Sequence, residues 1–149
     1  MKKPLLLLAL VLILPGARGA QGLIEITSPH DVPTTVARLK EAVRAGGFKI
    51  LATLDHARAA EGAGLELRPE KLLIFGKPKA GTLLMQSGPT IGIDLPMKYL
   101  VWEDAAGQTH LAWNDPAWLA ARHGIADKSA LVKKMQGALK KLAGQAVAP

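Results

Sequence analysis

Two runs of alternating hydrophobicity, separated by a three-residue turn, set the tightest limit on what this chain can fold into. Met97, Tyr99 and Val101 alternate with Lys98, Leu100 and Trp102, which is the period of a strand. Ala105-Ala106-Gly107 follows, and Gln108 to Trp113 reads as the next strand. Glycine closes that turn where positive φ is needed. A parallel pair requires a crossover of about a dozen residues or more, and there is no room for one here. The sheet therefore contains an antiparallel hairpin, and a doubly wound parallel sheet is excluded.

The remaining segments fall into place around that hairpin. Leu23 to Thr27 is a short first strand. Asp31 caps a helix with Pro33 in its first turn and Val32, Val36, Leu39 and Val43 on one face. Gly46-Gly47 ends it. In the second strand, Phe48, Ile50, Ala52 and Leu54 share one face, and Asp55-His56 closes it. Residues 57–69 hold one helical turn. Leu72 to Phe75 is a third, central strand, apolar on both faces and stopped by Gly76-Lys77-Pro78. Residues 79–96 form an excursion with a short helix over Ala80–Gln86. Met97 to Glu103 is the fourth strand. Asp115 and Pro116 start a helix that ends at His123-Gly124. Asp127 caps a last helix whose apolar stripe is Leu131, Met135, Ala138 and Leu142. A run of strands with helices before and after it is α+β.

Residues 1–19 stand apart from this order. Lys2 and Lys3 precede the apolar run Leu5–Leu14, and Ala17-Arg18-Gly19 offers small residues for cleavage after Gly19. Ten apolar residues reach about 15 Å as a helix, half of a hydrocarbon core, so an export signal is expected rather than a membrane anchor. A cut after Ala20 is the second choice. The expected location is periplasmic or secreted, with a single domain over 20–149 and no stable membrane insertion. Losing Lys2, Lys3 and Arg18 lowers the formal net charge from +7 to +4. The chain has no cysteine, which excludes disulfides, thiolate zinc sites and a cysteine nucleophile.

No covalent chemistry is evident. His30, His56, His110 and His123 have no metal-ligand spacing, so neither metal nor cofactor is expected. Asp55, His56 and Glu66 are the best set for zinc, and loop hydrogen bonding explains them as well. Ser87 lies outside a nucleophile elbow. Gly76 to Thr82 follows a strand, yet it lacks the phosphate-loop order and contains Pro78. Five lysines, Lys128, Lys133, Lys134, Lys140 and Lys141, lie near the C-terminus and read first as a solvated helix face.

Six segments, in order, resemble the bacterial domain of unknown function 302 family. They are Leu65–Pro69, Phe75–Thr82, Leu84–Gln86, Asp94–Lys98, Trp102–Asp104 and Asn114–Pro116. The likeness runs from about Gly22 to Leu142. It implies a fold like that of the TATA-binding-protein group: a curved antiparallel sheet in β-α-β4-α order with helices packed on one face. It implies no activity. DNA binding does not come with the fold, and no basic stripe or wedge pattern supports a nucleic-acid partner.

The expected function is an exported binding or accessory module for a small molecule, with an anion as the first candidate. The alternatives are an enzyme for a small anionic substrate, using Lys77, Asp115, Arg122 or His123, and a structural homodimer module. A homodimer is expected in any case, through the sparsely charged first strand. Meander topology puts the ends of strands three and five on one rim, so the ligand-binding candidates are Lys77, Lys79, Thr82, Gln86, Asp94, Lys98, Asn114 and Asp115. The other rim holds Asp55, His56, Glu103 and Asp104.

Overall fold

The computed structural model describes residues 20–149, so the export signal read over 1–19 lies outside the described residues. The elements are β1 (Leu23–Ser28), α1 (Val32–Ala45), β2 (Lys49–Asp55), α2 (His56–Gly62) and β3 (Glu70–Gly76). They continue with α3 (Pro78–Ser87), a 3-10 turn (Pro89–Ile93), β4 (Met97–Glu103), β5 (Thr109–Asn114), α4 (Pro116–Arg122) and α5 (Ser129–Val147). The strands form one antiparallel sheet in the order β1-β5-β4-β3-β2. This is the expected α+β architecture. The β4–β5 hairpin turns at Gly107, whose φ of +80° is one that side chains rarely adopt.

One face of the sheet carries the core. Antiparallel partners share a face, and the pairs Leu73–Tyr99, Phe75–Met97 and Val101–Leu111 all point into it. Phe48, just before β2, makes a continuous aromatic row with Phe75 of β3, Tyr99 of β4 and Trp113 of β5, with ring centroids 5.7, 4.9 and 5.6 Å apart. Such contacts add about 0.5–1.5 kcal/mol each beyond burial. Onto this face α1 lays Val32, Val36, Leu39 and Val43, the residues its sequence spacing places together. Asp31 caps α1 by accepting from the Thr34 amide at 2.8 Å. Residues of α3, the 3-10 turn, α4 and α5 join the same core.

The α5 helix is anchored at its middle and at its end. The buried Tyr99 hydroxyl donates to the Leu139 carbonyl at 2.7 Å. Burial pushes its pKa far upward, so it stays a donor. At the C-terminus, Arg38 donates to the Ala146 and Ala148 carbonyls at 2.9 and 2.7 Å, and His30 Nε2 donates to Ala148 at 2.8 Å. These groups satisfy carbonyls that a helix end leaves unpaired.

Several local expectations need correction. The β2 stripe does not run unbroken: the register shifts between Ile50 and Ala52. Ile50 pairs with Phe75 on the core face, whereas Ala52 and Leu54 pair with Ile74 and Leu72 on the other, because one inserted residue reverses every later side chain. Residues 57–69 contain most of the seven-residue α2 rather than a single turn. Lys128, not Asp127, is the cap residue of α5; the Asp127 carboxylate accepts from Ser87 Oγ at 3.0 Å. The buried face of α5 is Val132, Leu139, Leu142, Ala143 and Ala146, so of the expected stripe only Leu142 is fully in the core. An alanine-rich helix is apolar around more than half its circumference, and the sequence period does not say which part faces inward.

Candidate functional site

Helix α3 begins immediately after β3, because Pro78 suits a first helical position and cannot extend a strand interior. It sends only Leu84 fully into the core. The rest of the helix stands off the body and leaves a cleft beneath it. The cleft has two adjoining hollows. One, of about 280 Å³, lies between α3, the start of β2 and the Leu95-Pro96 approach to β4. The other, of about 590 Å³, lies between α3 and α5. Phe48, Lys77, Ala80, Met97 and Met135 border both. These volumes are near the range of small-molecule sites.

The chemistry of the lining is one-sided. Lys49 and Lys77 are the charged residues of the smaller hollow, and Lys77, Lys79, Lys134 and Lys141 those of the larger. Among the described residues no carboxylate lines either one. The Lys77 ammonium sits 4.4 Å over the centre of the Phe48 ring, between the two hollows. At the mouth, Leu51, Leu83 and Met85 are 52%, 37% and 38% exposed. No side chain caps the first turn of α3, so the positive end of its dipole adds to the lysine field. An apolar floor under a cationic rim can hold a molecule with an apolar body and an anionic head.

A second cluster lies where the excursion meets the end of α4. The Asp94 carboxylate pairs with His123 Nε2, and Thr90 Oγ1 is 2.9 Å from His123 Nδ1. Arg122 approaches Asp94 at 3.6 Å. Lys98 donates to the Asp94 and Pro96 carbonyls, both at 2.8 Å, and burial lowers its pKa. A carboxylate, an imidazole and an exposed hydroxyl are thus in line. If Asp94 accepts from Nε2–H, then Nδ1 is free to accept from Thr90.

The eight candidates on the first rim therefore divide. Lys77 and Thr82 line the smaller hollow and Lys79 the larger. Asp94 and Lys98 belong to the second cluster. Gln86 is exposed on α3, and Asn114 is exposed at the end of β5, paired in register with Leu23. Asp115 caps α4 through the Ala117 amide at 2.9 Å and accepts from Gln136 at 2.8 Å, so its carboxylate is spent on structure. Sequence reasoning missed the contribution of α5. The stripe Leu131–Met135–Ala138 lines the cleft, with Leu131 and Met135 also packed against the edge of the core, and Lys134 and Lys141, seven apart, lie beside it.

On the opposite rim, Asp55 caps α2 and pairs with Lys71 at 3.0 Å; the Arg58 amide is the first cause of its lowered pKa. His56 opens α2, and the Glu103 amide bonds the Pro69 carbonyl. Asp104 accepts from the Ala106 and Gln108 amides and from His110 Nε2, the last at 2.8 Å. Glu25 Oε1 lies 2.8 Å from His110 Nδ1 as an ionic contact rather than an aligned hydrogen bond. Asp55, His56 and Glu66 do not form a ligand set, and among the described residues no three histidine or acidic side chains could hold a metal ion.

The family model "Domain of unknown function DUF302" matches residues 24–142. The "Fluoride-specific ion channel FluC 1" of Brucella suis is 45% identical over 104 residues, covering 70% of this chain and 41% of that protein. The protein of the same name in Brucella abortus is also 45% identical, over 38% of its length. The chain thus spans about two fifths of the length of these curated relatives. A crystal structure of an uncharacterized conserved DUF302 protein from Bacillus stearothermophilus superposes with a TM-score of 0.77 at 18% identity, covering 85% of this chain and 99% of that one. The last likeness concerns the fold alone.

Proposed function

We propose that this chain, which belongs to the DUF302 family, is an exported binding module whose ligand is a small anion with an apolar body. One observation carries the reading: the cleft under α3 has an apolar floor, and every charged residue lining it is a lysine. Burying the ligand's body displaces water from Met135, Met97 and Phe48, at roughly 25 cal/mol per Å² of apolar surface removed from water. The head group stays at the mouth, where Lys77 reaches either hollow and its charge remains hydrated. The leader pattern in residues 1–19 supports export.

The Brucella relatives support an accessory role. They are named as ion channels, and they match over about two fifths of their length. No described helix here is long and apolar enough to cross a membrane. We read the shared segment as a domain carried beside a pore rather than as the pore.

The test is a thermal-shift series with sodium decanoate, its methyl ester and sodium fluoride. The reading expects decanoate to raise the melting temperature, the ester to do so less, and Lys77→Met with Lys134→Met to abolish the difference. Stabilisation by fluoride alone would replace the apolar-bodied ligand with a bare halide.

A second reading, as an enzyme on a small anionic ester, is favoured by the Thr90–His123–Asp94 alignment. In it the Thr90 hydroxyl attacks the ester carbonyl and passes its proton to His123 Nδ1; the C–O bond to the alcohol then breaks as His123 returns that proton to the leaving oxygen, and water, deprotonated by His123, cleaves the acyl-Thr90 ester to release the acid. Hydrolysis of p-nitrophenyl acetate that is lost in Thr90→Val, with decanoate binding intact, would support it; unchanged hydrolysis would exclude it.

A further inference from the structure

We infer that the sheet face opposite the core is the contact between two copies of this chain, packed face to face about a two-fold axis. The inference is independent of the cleft, which lies under α3 on the helix side. Among the described residues, the core gathers side chains of α1, α3, α4 and α5 on one face only. Strand register sets out the other face in rows. The central row is Leu54–Leu72–Leu100–Ala112, ending at Glu25 on β1. On one side of it lie Ala52, Ile74 and Lys98, and on the other Glu70, Trp102 and His110.

A sheet face left to water normally alternates to polar residues. Here β3 and β4 place Leu72, Ile74, Leu100 and Trp102 there, outside the core and covered only partly, and Leu54 is 45% exposed. Isolated apolar residues on a surface mean little, but a contiguous patch of this kind marks an interaction site.

A second copy is the occupant that the register favours. The central row is apolar across β2 to β5, and its flanking rows carry different charges: Lys98, whose ammonium also holds the Asp94 and Pro96 carbonyls, on one side and Glu70, two strands from the His110 that Asp104 and Glu25 flank, on the other. A two-fold axis along the central row lays Leu72 and Leu100 over their own counterparts and brings the Lys98 row of each copy over the Glu70 row of its mate. Glu25 sits at the margin and is engaged by His110, and sheets packed at about −30° splay apart at their margins. Four strands about 4.8 Å apart and about 20 Å long span on the order of 400 Å² per copy, a small contact that suits association at high micromolar concentration. An anionic membrane is the poorer match, because the lysines of the cleft lie on the helix side. The edges are poorer too: the bulge at Leu51 interrupts β2, and Glu25 guards β1.

Light scattering on the chain at high micromolar concentration is expected to give twice the single-chain mass, and Leu72→Lys with Leu100→Lys to return it to one chain. The absence of native cysteine allows a second readout that does not disturb packing. Leu100→Cys should cross-link to its own counterpart under mild oxidation, whereas Thr27→Cys on the β1 edge should not. A single-chain mass at that concentration overturns the inference. So does a dimer that survives both lysine substitutions and cross-links only through Thr27→Cys.

Discussion

His110 joins three strands of the sheet through one ring: Asp104 of the hairpin and Glu25 of β1 flank its nitrogens, and Trp102 of β4 stacks on it at 5.1 Å. The hydrogen bond to Asp104, followed by the charge of Glu25, raises its pKa above the ordinary 6.5, although burial opposes them. The stabilisation is therefore complete below about pH 6.5 and is lost as pH rises through the raised value. Asp104 works in the opposite sense. Its pKa is held below 3.8, first by His110, so its share is present above that value and is lost in acid. Melting temperature should fall as pH is raised from the mid-range through the His110 pKa, and His110→Asn should remove that slope; an unchanged slope would contradict this account. Gly22 makes a steric claim. Its φ is +80°, and an added Cβ would lie 2.2 Å from the Trp118 ring. Gly22→Ala should cost about 1–3 kcal/mol in urea unfolding.

Among the elements, α5 offers the clearest comparison of packing with patterning. Leu139 is 2% exposed and holds Tyr99, whereas Leu131 borders the cleft. Leu139→Ala should cost about 2–5 kcal/mol and Leu131→Ala about 1 or less, measured by denaturant midpoint. Equal costs would restore the face expected from spacing alone. What the sequence made legible were features with a local cause: the Asp31 and Asp115 caps, the Gly107 turn, the α1 stripe and both strands of the β4–β5 hairpin. Features set by distant partners were hidden. The Leu51 bulge depends on how β2 docks on β3, and the inward face of α5 depends on what α1 and β4 leave uncovered. The site followed the same division. Lys77, Lys79 and Thr82, which line the hollows, follow from topology as residues of one rim. Lys134, Lys141 and Met135 do not, because only tertiary packing brings α5 under α3. Arg122 and His123 reach Asp94 because α4 returns toward the excursion, which no local signal records.

At the scale of the molecule, the sheet separates two surfaces with different chemistry. The helix side carries the lysine-rimmed cleft, and the open side carries the leucine rows. A ligand on one and a second copy on the other do not compete, so binding and association should vary independently in substituted chains. The central claim is that charge and apolar contact act together in the cleft, and calorimetric titration of decanoate at low and high salt tests it most directly. The account predicts measurable binding that weakens with salt, and about tenfold weaker binding for Lys77→Met with Lys134→Met at low salt. Binding that ignores both salt and the two lysines, or no binding at all, would contradict it.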